Sequence, residues 1–406
     1  MVMSILIIRN GLVHDGIHEE AFIADILVAD GKIVKIAAKI SEEEGKDAAN
    51  SSGTEEVQIL DAEGLEIYPG FVDAHCHIGL DGYAIGFEGK DYNEMGDPIT
   101  PQLSAIDGIN PQDVTFEQAR SGGVTCVCTG PGSSNVIGGT FCAIKTYGKR
   151  VDDMVVKEKV AMKIAFGENP KRCYKDKGVC SRMSVAAKLR EYLTKAIIYD
   201  EKRKLAGWPD QIDYAKMPAY DPKIEALVPV IRGELPLKAH AHRADDIFTA
   251  IRVAKEFGLK VVLDHVTDGS LIAEELAKEG FPVAVGPSFG HATKYELKNK
   301  DFETVADLAK AGCRVSIITD SPVIEQRFLN HCVGRAIYSG LDPFTALQAV
   351  TINAAKHIGI EDRVGSIEAG KDGDFVVVKG NPFTLDTPVL YTIINGKIVY
   401  QHKERA

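Results

Sequence analysis

A regular alternation of short apolar runs and amphipathic stretches fills the middle of the chain and leaves few folds open. Six apolar runs, from TCVCTG to RVSIITD, are separated by segments with helical periodicity such as DIFTAIRVAKEFG and FETVADLAKAG. Runs that are apolar throughout predict parallel strands that helices bury. About 300 residues of this pattern suit an α/β fold of the (β/α)₈ barrel type. An open doubly wound sheet is the rival, but no GxGxxG motif follows the first strand.

Both chain ends read differently from the middle. Residues 1–68 and 366–406 contain short β-branched runs separated by Asn-Gly, Asp-Gly and Glu-Gly turns. The polar, acidic segment Ser41–Glu56 between two of these runs is predicted to be an exposed loop. We therefore expect a small β-sandwich domain from residues 1–68 and 366–406, and a barrel domain from residues 69–365.

Composition excludes several kinds of partner and location. The net charge of −11 disfavours nucleic acid and anionic membranes as partners. No apolar run approaches the roughly 18 residues of a membrane span, and the apolar core of MVMSILIIRNGLV is too short for a signal peptide. Eight cysteines without a CxxC pair predict reduced thiols and a cytoplasmic protein.

The stretch YPGFVDAHCHIGL, residues 68–80, carries the clearest chemical signal. A Pro-Gly turn feeds a short apolar run, and Asp73, His75 and His77 then follow at alternate positions. Alternate side chains of a strand point to one face, so the two imidazoles can aim at one divalent cation such as Zn²⁺. Hydrogen-bonded histidines at a strand end are the alternative, but the Pro-Gly entry and the acid in register favour the ligand interpretation.

Other polar residues fall at the carboxyl ends of predicted strands, where barrel enzymes have their active sites. They are His240 and His242 in KAHAHRADD, His265 in LDHVTDG and Asp320 in IITDSP. Any one of them could cap a helix or bind a loop. Together with the first-strand histidines they predict a nitrogen-rich divalent metal site with one carboxylate.

These motifs resemble the amidohydrolase superfamily, within it the imidazolonepropionase-related and prolidase-like branch. PGFVDAHCH is similar to its first-strand HxH signature, and DPFTALQAVTINAAKHIGIEDRVGSIEAGKDGDFVVVKG to the return from the barrel to the terminal sheet. The resemblance implies a metal-bearing (β/α)₈ barrel with a β-sandwich made from both termini. It also implies a divalent metal cofactor, with Zn as the expected metal in one or two ions, and a homo-oligomer.

The resemblance also assigns roles to individual residues. His75, His77, His265 and Asp320 match metal ligands. On the fifth strand His240 is favoured as the ligand, which leaves His242 to face the substrate.

The fourth strand leaves three possibilities open. Relatives place there a carboxylated lysine that bridges two metals, a glutamate, or no bridge. Lys163 and Glu168 are five residues apart, so a regular strand sends them to opposite faces. Glu168 is the favoured ligand, and Lys163 is the carboxylated alternative. If Glu168 does not bind metal, its expected role is an ion pair with Lys171 or Arg172.

The implied chemistry is hydrolysis by a water whose pKa a metal lowers toward about 7. Asp320 would act as general base and acid, and His242 or His291 would help to hold the oxyanion. Candidate contacts for an anionic substrate group are Asn169, Arg172, Arg243 and Lys294, each of which could equally be a solvated surface residue.

We therefore expect a hydrolase that cleaves a non-peptidic or dipeptide C–N bond, an amide or cyclic amide, in a small-molecule substrate. The alternatives are a metal-dependent deaminase of a ring amidine and a non-catalytic relative that only assembles. The full set of histidines and Asp320 argues against the latter.

Overall fold

A computed structural model describes residues 5–52 and 57–403. Within them, strands from both chain ends form one eight-stranded sheet. Its strands are β1 (Ile5–Val13), β2 (Phe22–Ala29), β3 (Lys32–Ala37), β4 (Val57–Asp61), β5 (Glu66–Pro69), β14 (Phe375–Val378), β15 (Val389–Ile394) and β16 (Lys397–Gln401). They lie in the order β16-β15-β14-β5-β1-β2-β3, with β4 also paired to β1. β5 joins the two ends, since it pairs with β1 in parallel and with β14 antiparallel. Where a sandwich is expected, the hydrogen bonding is that of a single sheet.

The middle of the chain forms the second sheet, a near-closed barrel of eight strands that follow one another in chain order. They are β6 (Phe71–Cys76), β7 (Val124–Thr129), β8 (Ile137–Lys145), β9 (Val155–Ala165), β10 (Leu237–Ala241), β11 (Val261–His265), β12 (Val283–Val285) and β13 (Val315–Ile317). Two backbone hydrogen bonds link the first strand's end to the segment after the last: Asp320 N to His75 O (3.2 Å) and His77 N to Ser321 O (2.8 Å). The α/β barrel predicted from the pattern is confirmed.

One strand departs from the expected all-parallel order. β8 runs antiparallel to both β7 and β9, with no α-helix before or after it. The segment IGGTFCAIK is buried along its whole length, yet its two glycines and its position next to the loop GPGSSN hide the strand pattern.

Ten α-helices of the described chain accompany the barrel. They are α2 (Val114–Ser121), α3 (Glu168–Cys173), α4 (Arg182–Leu205), α5 (Pro222–Ile231), α6 (Ala244–Phe257), α7 (Ala273–Glu279), α8 (Glu303–Lys310), α9 (Leu329–Tyr338), α10 (Pro343–Ala349) and α11 (Ile352–Ile358). α6 illustrates why they pack: Ile247, Ala250, Ile251 and Ala254 recur at helical spacing and are buried. It ends at Gly258, whose φ of 66° suits a residue without a Cβ. None of the described helices is long and apolar enough to cross a membrane.

The prediction of a loop at residues 41–56 is wrong for its first part, which forms helix α1 (Glu42–Ser52), while residues 53–56 lie outside the described residues. The Ser41 Oγ accepts a hydrogen bond from the Glu44 backbone N–H (3.2 Å), and the Ser41 N–H donates to the Glu44 carboxylate (2.8 Å). This reciprocal capping box, together with acidic residues in the first turn, favours helix over loop.

A buried ion cluster fastens the barrel to the terminal sheet. Lys145, the last residue of β8, lies with its Nζ 2.5 Å from Asp374 Oδ2 and 2.9 Å from Asp372 Oδ2. Lys32 and Arg363 also pair with Asp372. Every charge in this cluster therefore has an opposite partner.

Candidate metal centre

The first-strand histidines occupy the face that the alternation predicts. His75 and His77 are both buried, and their Nε2 atoms lie 3.4 Å and 3.2 Å from the same oxygen, Asp320 Oδ1. Cys76 between them is buried in the hydrophobic core instead.

At β11 the strand alternation breaks down at the site. A regular strand would send Asp264 and His265 to opposite faces. His265 instead has a φ of 76° and Val266 a φ of 46°, and Asp320 adds a φ of 53°. A left-handed backbone at residues other than glycine costs roughly 1–3 kcal/mol each and concentrates at functional sites. The distorted backbone accompanies an arrangement in which His265 reaches the cluster while Asp264 remains inside the barrel beside His75.

Two groups of side chains could each hold a metal ion. His240, His242 and His265 form one, and His75, His265 and Asp320 form the other, with possible ligand atoms within 4.8 Å of one another in each group. His265 belongs to both. The arrangement therefore resembles two adjoining metal positions that share one imidazole.

The hydrogen bonds of the imidazoles fit metal coordination. The Nδ1 atoms of His77, His242 and His265 each lie 2.7 Å from a protein oxygen, namely Gly130 O, Thr267 Oγ1 and Gly286 O. Such bonds on one nitrogen orient the other toward a metal. The Nε2 atoms of His240 and His265 are buried and have no hydrogen-bond partner among the described residues. Buried polar nitrogens without partners are costly, so a bound cation would explain them.

Burial favours the neutral, metal-binding form of three of these imidazoles. It lowers the pKa of His265 to about 3, although Asp320 opposes this, and holds the pKa of His240 and His242 well below the usual value. Burial alone would raise the pKa of Asp320, but His265, His75 and His77 outweigh it and keep the pKa well below its usual range. Asp320 therefore stays an anion.

Of the two fourth-strand candidates, Lys163 is the one that the structure brings to the cluster. Its fully buried Nζ lies 3.4 Å from His75 Nε2 and 5.3 Å from the centre of the Phe141 ring. Burial is the largest influence on the Lys163 amine and lowers its pKa to about 8. Glu168 begins helix α3 and belongs to neither group, nor does it pair with Lys171 or Arg172 in the described chain.

Among the proposed substrate contacts, Asn169 and Lys294 lie together, with Lys294 Nζ 3.2 Å from Asn169 Oδ1. Arg243 is paired through both prongs of its guanidinium with Asp245. Arg172 and His291 are exposed, and neither belongs to the two groups above.

Sequence reasoning missed two buried acids. Asp264 Oδ2 lies 3.0 Å from His75 Nδ1, and Asp264 Oδ1 lies 2.9 Å from Lys238 Nζ. Glu296 Oε1 lies 3.9 Å from the Nε2 atoms of both His240 and His242. Asp264 directly precedes a predicted ligand and could have been suspected, whereas Glu296 stands in the loop segment TKYEL with no local signal.

Comparison with known proteins agrees with this geometry. A crystal structure of an amidohydrolase from Thermotoga maritima MSB8 is 39% identical, with a TM-score of 0.90 over 98% of this chain and 100% of that one. The chain belongs to the amidohydrolase family. The family model described as "Amidohydrolase family" matches residues 232–399. The resemblance predicted from the sequence is thereby confirmed.

Curated relatives of this amidohydrolase carry different names. Amidohydrolase tasK of Hapsidospora irregularis is 28% identical over 92% of this chain, but the chain spans only 40% of that protein. An adenine deaminase of Bacillus velezensis is 25% identical over 98% of the chain and 57% of the relative. An imidazolonepropionase of Symbiobacterium thermophilum is 23% identical over 80% and 77% respectively. The names agree on the family and differ on the substrate.

Proposed function

We propose that this amidohydrolase is a metal-dependent hydrolase of a non-peptidic or dipeptide C–N bond, an amide or cyclic amide, in a small molecule. The observation that carries the proposal is the convergence of His75, His265 and Asp320, next to His240 and His242. Two buried Nε2 atoms of this cluster lack a hydrogen-bond partner in the part of the chain that the structure describes. A bound divalent ion, which we propose to be Zn²⁺, would supply water activation and carbonyl polarisation.

Within this proposal the protein's own groups have separate tasks. His75, His77, His240, His265 and Asp320 would hold the metal. Asp320, whose side chain is 17% exposed while those of His75 and Asp264 are wholly buried, is the acid that substrate can reach. As an anion it can accept a proton from the attacking water and return it to the leaving nitrogen.

His242 is the proposed second donor toward the developing oxyanion, since Thr267 orients its ring and its Nε2 faces Glu296 and the cluster. Lys163 is the proposed bridging group, as a carboxylated lysine, because its Nζ reaches His75 whereas Glu168 lies outside the cluster. The buried site and the relatives that are named for small substrates support a small-molecule substrate. We also propose the domain division at residues 69 and 365, a homo-oligomer and a cytoplasmic location.

The decisive experiment is the substitution Asp320→Asn in the purified protein. We expect bound metal to remain near the native amount, while hydrolysis of N-acyl amino acids, dipeptides and cyclic ureides falls by about 10²–10⁴-fold, the usual contribution of a general base. Elemental analysis and the same assays check both quantities. Unchanged turnover would remove Asp320 from the reaction, and native protein without metal would favour a non-catalytic relative.

A deaminase of a ring amidine is the second candidate, and the adenine deaminase relative favours it. Release of ammonia from adenine and related amidines, tested beside the amide panel, separates the two reactions. We expect ammonia release from an amidine to accompany a single metal ion, whereas two ions with a Lys163 bridge would support amide hydrolysis.

A further inference from the structure

No residue of the segment AFGENPKR belongs to either of the two metal-binding groups. Its turn nevertheless contacts the buried acid Glu296. The backbone N–H of Glu168 donates to Glu296 Oε2 (2.8 Å). A Cβ placed on Gly167, whose φ is 85°, would lie only 2.5 Å from the same oxygen. The glycine therefore allows the turn to approach the carboxylate closely, and the turn fixes one end of Glu296.

The other oxygen of Glu296 fixes a lysine. Glu296 Oε1 lies 2.6 Å from Lys294 Nζ, and Asn169 Oδ1 accepts a second hydrogen bond from the same ammonium (3.2 Å). The Glu296 side chain is 1% exposed and that of Lys294 is 16% exposed, so the acid lies beneath and the ammonium faces outward. An ammonium has three N–H donors, and these two contacts use only two of them.

The position of this pair relates it to the candidate metal centre. Glu296 Oε1 is 3.9 Å from the Nε2 atoms of His240 and His242, too far for hydrogen bonds. Lys294 Nζ lies 2.6 Å from the same Glu296 Oε1, so the ammonium is close to both imidazoles. A lysine beside metal-binding histidines would be repelled by a bound cation unless an anion held it.

We propose that Glu296 is a positioning residue that holds Lys294 at the mouth of the centre, so that the site prefers substrates carrying a carboxylate. This inference rests on the proposed function. The Gly167–Glu168 turn holds Glu296, Glu296 and Asn169 hold Lys294, and the third N–H of Lys294 binds the substrate anion.

The test compares N-acetylglycine with its neutral analogue N-acetylglycinamide as probes, by calorimetric binding to the metal-loaded protein. We expect the native protein to bind the acid about 10-fold more tightly than the amide. Lys294→Met and Glu296→Gln should each remove that preference, with amide affinity and bound metal unchanged. A variant that loses only the preference for the acid supports a positioning role, because a merely structural defect would also lower the amide affinity or the bound metal.

Two glycine variants test the turn independently. Gly167→Ala should reduce the preference for the acid, because its Cβ displaces the Glu296 carboxylate. Gly178→Ala is the control for a positive φ without a neighbour: its φ of 80° and ψ of 18° are left-handed, whereas Gly167 has a ψ of −140°, and nothing lies within 4 Å of its Cβ. It should behave as native. Native protein that binds both probes alike or not at all, or Glu296→Gln that keeps the preference, would overturn the inference. Because binding needs no turnover, this failure leaves the loss of hydrolysis in Asp320→Asn as a separate result.

Discussion

Two lysines of the barrel, Lys145 and Lys163, are both buried, yet their surroundings affect them in opposite ways. Burial would lower the pKa of either amine. At the junction with the terminal sheet, Asp374 and Asp372 outweigh burial and raise the pKa of Lys145. Near the histidines, burial outweighs Asp264 and lowers the pKa of Lys163 to about 8.

The difference lies in their partners. Lys145 forms ion pairs with two carboxylates, at 2.5 Å and 2.9 Å. Within residues 5–52 and 57–403, Lys163 Nζ forms no ion pair with a carboxylate and lies 3.4 Å from the imidazole of His75. A buried amine that is paired with carboxylates stabilises the fold. A buried amine without a carboxylate partner indicates a site where a further group binds. The same substitution at both positions tests that interpretation.

The largest effect is expected from Lys163→Met. Bound metal and turnover should each fall by about 100-fold or more, since a bridge between two ions would be lost. The free energy of unfolding of the metal-free protein should hardly change, because the variant removes a buried amine that lacks a carboxylate partner. Elemental analysis, activity assays and urea denaturation measure the three quantities.

Glu168→Gln is the control for Lys163→Met, since Glu168 is the other fourth-strand candidate. We expect it to keep its metal and its turnover. A reversed result, with metal lost in Glu168→Gln and retained in Lys163→Met, would make Glu168 the ligand and end the contrast between the two lysines.

Lys145→Met should have the opposite outcome. Removal of one partner leaves Asp374 and Asp372 buried without their shared cation, which typically costs about 3–5 kcal/mol. Urea denaturation should show this loss, while bound metal per folded molecule stays at the native value. A variant as stable as the native protein would mean that the junction does not depend on this cluster.

Metal removal should destabilise the protein through the metal centre near Lys163 and not through the junction near Lys145. A ligand present at 100 times its dissociation constant stabilises the folded state by about 2.7 kcal/mol. Chelation should therefore lower the melting temperature of the native protein and of Lys145→Met alike. It should have no further effect on Lys163→Met, and an equal shift in that variant would show that its metal does not depend on the lysine.

Acid should also weaken the junction, with the smallest effect of the series. Burial alone would raise the pKa of Asp372, but Lys145, Arg363 and Lys32 lower it to about 2. A depressed folded-state pKa contributes stability that is present above the unfolded value near 4 and is lost as pH falls toward 2. We expect the stability advantage of the native protein over Lys145→Met to fall by about 2 kcal/mol at most between pH 5 and pH 2, measured by urea denaturation. Lys145→Met should lose less, and an equal loss would assign the acid sensitivity elsewhere.

Local sequence patterns predicted much of this molecule. Continuous apolar runs marked six of the eight barrel strands, and the Pro-Gly turn with the short apolar run after it marked the first. The alternation around His75 placed both first-strand imidazoles on one face. Strand β8 was not predicted, because Gly138 and Gly139 weaken its pattern. Helix α1 was not predicted either, although Ser41 and Glu44 form a recognisable capping box.

The sequence by itself determined the alternating architecture, the family and the histidines that could bind a metal, because these depend on periodicity and on residue type at strand ends. Only the tertiary structure decided that Lys163 rather than Glu168 reaches His75, and that Glu296 lies beside His240 and His242. Lys163 stands 88 positions after His75 in the chain, and Glu296 stands 56 positions after His240. Barrel closure and a left-handed turn at His265 bring such groups together, and neither leaves a trace in local spacing.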